Sequence, residues 1–130
     1  ILALDTSIII DIENGKKEII EKIRELKEIH QSISYIPFVS YFEVYVGILK
    51  KMQKNQQQAY LLLQTFPLLQ PTKRTAEILA EMKKKYEERG QMLSLTDLLI
   101  ASQVHEHNLL LITKDHDFVA IEEIKKIILE

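Results

Sequence analysis

Two short runs, Ile1-Leu2-Ala3-Leu4 and Leu109-Leu110-Leu111-Ile112-Thr113, are apolar nearly throughout and too brief to be helices of ordinary length. Runs of this kind suit strands buried on both faces, which occur where helices cover a parallel sheet on either side. Between them lie segments with apolar residues at helical spacing, so strands and helices alternate and the chain is expected to be α/β. Each run leads to an acid, Asp5 after the first and Asp115 after the second. In a parallel sheet the strand C-termini and helix N-termini share one edge, and ligands bind along it.

The first run predicts a strand, followed by a helix that Thr6 and Ser7 start and that stops near Asn14-Gly15. Ile19, Ile20, Ile23, Leu26 and Ile29 predict an amphipathic helix over 16–30. Residues 32–39 read as strand, with Pro37 near the exit. Ser40 followed three residues later by Glu43 has the form of a capping box, predicting a helix from Ser40 to about Met52. A further helix is expected around 59–63, and a short edge strand over 66–69, bracketed by Pro67 and Pro71. Thr72 to Arg89 predicts a long helix ended by Gly90, and Ser94-Leu95-Thr96-Asp97 opens another to about His107. Residues 109–113 carry the strongest strand signal, and 124–129 a weaker one. The expectation is a three-layer α/β/α sandwich around a central, mainly parallel sheet, in a single domain over 1–130.

Composition excludes several classes of function. The chain has no cysteine, which rules out disulfides and thiolate metal sites and permits a reducing, cytoplasmic location. No apolar run approaches the roughly 20 residues that span a bilayer, and no secretory signal is visible. The chain opens on Ile1 without an initiator Met, so at least one preceding residue is expected. A net charge of −2 means that any nucleic acid would be held by a local basic patch or by metal-bridged phosphates. Lys50-Lys51, Lys73-Arg74 and Lys83-Lys84-Lys85 could track an RNA backbone, although a solvated helix face explains the last run better. His105 and His107 stand two apart on a predicted helix and face different directions, so they do not form a ligand pair.

Asp5, Glu43, Asp97 and Asp115 each have a structural excuse. Asp5 can cap a helix, Glu43 and Asp97 can complete Ser-x-x-acid capping boxes, and Asp115 can shape a turn. A capping role, however, does not care which sheet edge an acid occupies, and all four are expected at the same one. Apolar neighbours such as Ile8, Phe42, Leu98 and Phe118 surround them. A dry surround makes unneutralised charge costly, so a cation is the natural partner. Oxygen ligands without Cys or a helical His pair point to Mg²⁺ or Mn²⁺, as one or two ions, rather than zinc. Phosphodiester hydrolysis is the chemistry such a centre suits.

Leu4-Asp5-Thr6-Ser7, Ser40-x-x-Glu43-x-x-x-Gly47, Thr96-Asp97-Leu98-Leu99-Ile100-Ala101 and Thr113-Lys114-Asp115-His116-Asp117-Phe118 resemble, in order and spacing, the motifs of the PIN domain. They are most similar to those of small stand-alone proteins of the VapC toxin type. The resemblance implies a metal-dependent endoribonuclease in which Asp5, Glu43, Asp97 and Asp115 are the catalytic, metal-binding quartet. It assigns supporting roles to Ser7, Thr113 and Asp117, and gives Gly47 the structural role of allowing close helix packing. It also implies an RNA substrate, a homodimer and a cognate antitoxin, with Ile19, Ile23, Tyr45 and Tyr60 as core residues or as surfaces for those partners. A PIN nuclease of RNA processing outside any toxin pair, or a non-catalytic PIN-like binding module, remains an open alternative. A haloacid-dehalogenase-like phosphatase would want a second Asp where Ser7 stands, and a receiver domain would not require Glu43.

Overall fold

In the computed structural model, which describes all residues 1–130, β1 (Leu2–Leu4) lies inside a four-stranded sheet. It is flanked by β2 (Ser34–Tyr35) and β3 (Leu110–Thr113), and β4 (Lys125–Ile128) pairs with the far side of β3. Every pairing is parallel. The register sets Leu4 against Ile112, and the next amide, Asp5 N, donates to Ile112 O at 3.0 Å. The two strands that carry the first and last acids therefore end side by side.

Strand alternation divides the core in two. Leu2, Leu4 and Ile112 face a layer built by α1 (Thr6–Glu13), α2 (Lys17–His30), α3 (Phe38–Leu49) and α4 (Gln53–Gln64). Ala3 and Leu111 face the other, built largely by α5 (Lys73–Glu88) and α6 (Leu95–Glu106), where Ile78, Met82, Tyr86, Ile100 and Val104 pack. Ile19 and Ile23 are core, whereas Tyr45 and Tyr60 are partly exposed and meet edge to face. The expected α/β/α sandwich is therefore present, with a sheet that is parallel throughout. No helix is long and apolar enough to cross a membrane.

The structure corrects the boundary between β2 and α3. The strand is only two residues long, and the helix starts at Phe38, not after Ser40. Pro37 is the N-cap, with φ −61° and ψ 152°, and has no side-chain cap bond to give. A side chain from elsewhere does this work. Gln103, fully buried on α6, accepts from Phe38 N through Oε1 at 2.9 Å and donates through Nε2 to Leu69 O at 2.9 Å. Ser40 is consequently inside the helix, and there is no Ser40–Glu43 capping box. The expected edge strand at 66–69 is reduced to one parallel bridge, Ile36 with Leu68. Pro67 can accept from Ile36 N but has no amide to extend a ladder.

The other helix ends follow local chemistry. Thr72 and Thr75 form a reciprocal cap at the start of α5, both donating also to Glu106. Gly90, at φ +72°, supplies the left-handed residue just beyond its end. Ser94 caps α6 by accepting from Asp97 N at 3.1 Å.

Replacing Gln103 with Leu leaves a backbone donor and acceptor without their partner, which costs about 1–3 kcal/mol. Urea unfolding should show a lower midpoint at unchanged slope. A change below about 0.5 kcal/mol would mean that water satisfies both groups equally well.

Candidate active site

Asp5 follows β1 and is the N-cap of α1. Its Oδ1 accepts from Thr6 N at 2.7 Å and from Ser40 Oγ at 3.3 Å, and its Oδ2 accepts from Thr113 Oγ1 at 2.7 Å. Only 6% of the residue is exposed, so these donors stand in for water. Thr113 Oγ1 also accepts from Asp115 N at 3.0 Å, linking the first acid to the last strand's loop. Asp115 Oδ1 then accepts from Asp117 N at 2.9 Å, starting a short 3-10 turn over His116–Ala120. Glu43 projects from α3, where its Oε1 accepts from Thr6 Oγ1 at 2.6 Å.

Carboxylate oxygens of Asp97, Asp115 and Asp117 lie within 4.8 Å of one another. Asp117, expected to play a lesser part than the quartet, is thus in the tightest group. Burial pushes the Asp97 carboxyl above the usual range; Ser94 opposes this, while the charges of Asp115, Asp5 and Asp117 add to it. Burial likewise raises Asp5, against hydrogen bonds from Thr113 and Thr6 N, with Glu43 raising it further. The five acids form one repelling group. No Lys, Arg or His forms an ion pair with any of them.

Lys114, the cation next to Asp115 in sequence, is turned away. Its Nζ donates to Asp11 Oδ2 at 2.7 Å, and Lys16 Nζ approaches the other Asp11 oxygen at 3.3 Å. Burial pushes the Asp11 carboxyl up, but the two lysines outweigh it and hold it below the usual range. Ser7, expected to support the site, accepts from Lys114 N at 3.2 Å and so braces the loop backbone. Gly47 does not pack closely: a Cβ there would meet nothing within 4 Å, so the turn beyond Glu43 is open. His116 Nε2 approaches Glu130 Oε1 at 3.7 Å and forms no ion pair with the five acids.

Thr6 and Ser40 stand in the motifs without an expected site role, and Asp11 stands outside them. Ser40 has the signature of a cap, and only the fold reveals that its hydroxyl turns to Asp5. Ser7 and Asp11 share an i, i+4 helix face, which is a readable signal, but their common partner is more than 100 residues away.

A partly buried set of carboxylates at the C-terminal edge of a parallel sheet offers the all-oxygen donors that hard cations favour. The sequence model of the PIN domain matches residues 2–124, and the chain belongs to that family. Among known proteins it is similar to ribonuclease VapC3 of Methanocaldococcus jannaschii, with 29% identity over 99 residues, 76% of this chain and 93% of the relative. Its fold is similar to VapBC2 from Rickettsia felis bound to a promoter DNA fragment, with TM-score 0.87 and 20% identity over 99% and 98% of the two chains. A toxin–antitoxin complex from Klebsiella pneumoniae gives TM-score 0.74 and 26% identity over 95% of each chain.

The raised acids set a pH dependence. Between the ordinary carboxylate pKa near 3.9 and the raised native value, the folded state binds more protons than the unfolded one, so stability falls as pH rises. Asn does not titrate. In EDTA, Asp97→Asn should therefore melt at a higher temperature than wild type at pH 7, with the gain shrinking as pH falls toward about 4. A lower melting temperature at pH 7 would mean that the ionised Asp97 is stabilised by its surroundings.

Proposed function

We propose that residues 1–130 act as one PIN-like unit that hydrolyses RNA phosphodiesters with one or two Mg²⁺ or Mn²⁺ ions. Asp5, Glu43, Asp97, Asp115 and Asp117 would hold the metal. The observation that carries this reading is the convergence of five carboxylates with no protein cation among them. Their donor set is all oxygen, which fits hard divalent ions.

Each residue's part follows from its setting. Three hydrogen bonds fix Asp5, so it acts as the immovable ligand. Thr6 holds one oxygen of exposed Glu43 and leaves Oε2 free to orient a water or take its proton. Asp117 is the most open of the close trio and is placed to exchange a proton with solvent. When bound, the cation acidifies water and neutralises charge growing on the non-bridging phosphate oxygens. In hydrolysis the water oxygen bonds to phosphorus, one ester P–O bond breaks, and the departing oxygen takes up a proton. The helix surface one turn beyond Glu43, at Gly47, is open to solvent.

The similarity to a ribonuclease VapC and to toxin–antitoxin complexes supports a further reading: the chain is a cytoplasmic toxin silenced by a cognate antitoxin. Phe38, Phe42, Tyr45 and Leu49 form an exposed stripe along α3, which supports self-association as a homodimer. An RNA-processing nuclease outside a toxin pair would use the same site.

Purified wild-type protein should cleave a mixed RNA pool with Mn²⁺ or Mg²⁺ and stop in EDTA. Asp97→Asn should fold, because the Ser94 cap to its backbone is kept, yet lose at least about 100-fold in rate, the scale of a lost electrostatic contributor. Cleavage that persists in the variant would place the chemistry elsewhere.

A further inference from the structure

The face of α1 meets the chain leaving β3 at three points in step. Thr113 Oγ1 donates to Asp5 Oδ2 at 2.7 Å, Lys114 N to Ser7 Oγ at 3.2 Å, and Lys114 Nζ to Asp11 Oδ2 at 2.7 Å. The third contact is the one that needs explaining. Asp11 is only 5% exposed while Lys114 is partly exposed, and an ion pair so placed adds little net stability. What such a pair can do is fix one arrangement over others. Here the arrangement lies beside the site. Lys114 stands between Thr113, bonded to Asp5, and Asp115, which faces Asp97 and Asp117. The chain bends at Lys114, between the end of β3 and the extended backbone of Asp115. Anchoring Lys114 on α1 through both its amide and its Nζ thus fixes this bend, and with it the path by which the chain brings Asp115 beside Asp97.

From this juxtaposition we propose that Asp11 is a positioning residue for the cation site: by holding Lys114 on α1, it sets the direction of Asp115. The inference rests on reading the acidic group as a cation site. It also opposes what simple electrostatics expects. Removing a positive charge near a cation site should tighten cation binding, whereas loss of this anchor should weaken it.

The test is Mn²⁺ affinity, read from the electron paramagnetic resonance signal of free Mn²⁺. It would be measured for wild type, Asp97→Asn, Asp11→Asn, Lys114→Met and the Asp11→Asn/Lys114→Met double variant. Melting curves would confirm that each is folded at the assay temperature. Wild type should bind and Asp97→Asn should not. Asp11→Asn and Lys114→Met should each weaken binding by about tenfold or more, the scale of losing a residue that orients a ligand. The double variant should bind no worse than the weaker single variant, because both changes break the same Asp11–Lys114 contact. If Asp11→Asn does not fold, Lys114→Met decides alone. Binding by Lys114→Met as tight as wild type, or tighter, would overturn the proposal; so would additive losses, or lower melting with unchanged affinity. A wild type that binds no Mn²⁺ would overturn the site reading and this inference together. Binding that survives Asp97→Asn would move the site and leave Asp11 without the proposed role.

Discussion

One buried carboxylate joins most of the elements that make the site. Asp5 extends the β1–β3 ladder through its amide, caps α1, receives the Ser40 hydroxyl from α3 and receives the Thr113 hydroxyl from β3. An acid in that position would be intolerable alone, since burial disfavours its charged form. Its hydrogen bonds make it tolerable, and they also lock four segments at a common point. Glu43 and Asp115 then inherit their places from neighbours of Asp5: Thr6 holds the one and Thr113 the other.

The repulsion gathered at this edge has to be borne by the rest of the molecule. Two apolar layers do most of that work, with helices packed on both faces of a short sheet. Gln103 adds something the layers cannot. It sits on α6, which also carries Asp97, and it supplies the missing cap of α3, which carries Glu43. The two helices that bring acids from opposite layers are therefore joined by a buried amide. Their spacing rests on a directed bond as well as on the apolar contact of Val39 with α6, which lacks direction.

Much of the fold was legible because periodicity, strand length and caps are local. The run at 109–113, the Ser94 cap and the stop at Gly90 appear where their residues predict. The exceptions share a cause. Ser40 and Glu43 satisfy a local capping pattern, but Pro37 and the distant Gln103 start the helix earlier, and this frees Ser40 for Asp5. Asp117 and Asp11 illustrate the same limit at the site. The first joins the close trio because a 3-10 turn brings it round. The second matters through a lysine far along the chain. The open turn at Gly47 could not be told from a packed one by residue type alone.

The pairing of β1 with β3 spans nearly the whole sequence, and this orders events during synthesis. A chain emerging from the ribosome exposes Asp5 and Glu43 early. It lacks Asp97 until nearly three-quarters of these residues have been made, and it lacks Asp115, Asp117 and the Thr113 that holds Asp5 until more than four-fifths have been. Contacts between such distant segments also form late in folding, because the intervening loop must close first. A site built on this plan is incomplete until β3 and the loop after it have been made. The parallel order of the sheet thus makes assembly of the whole acidic group wait on one long-range strand pairing.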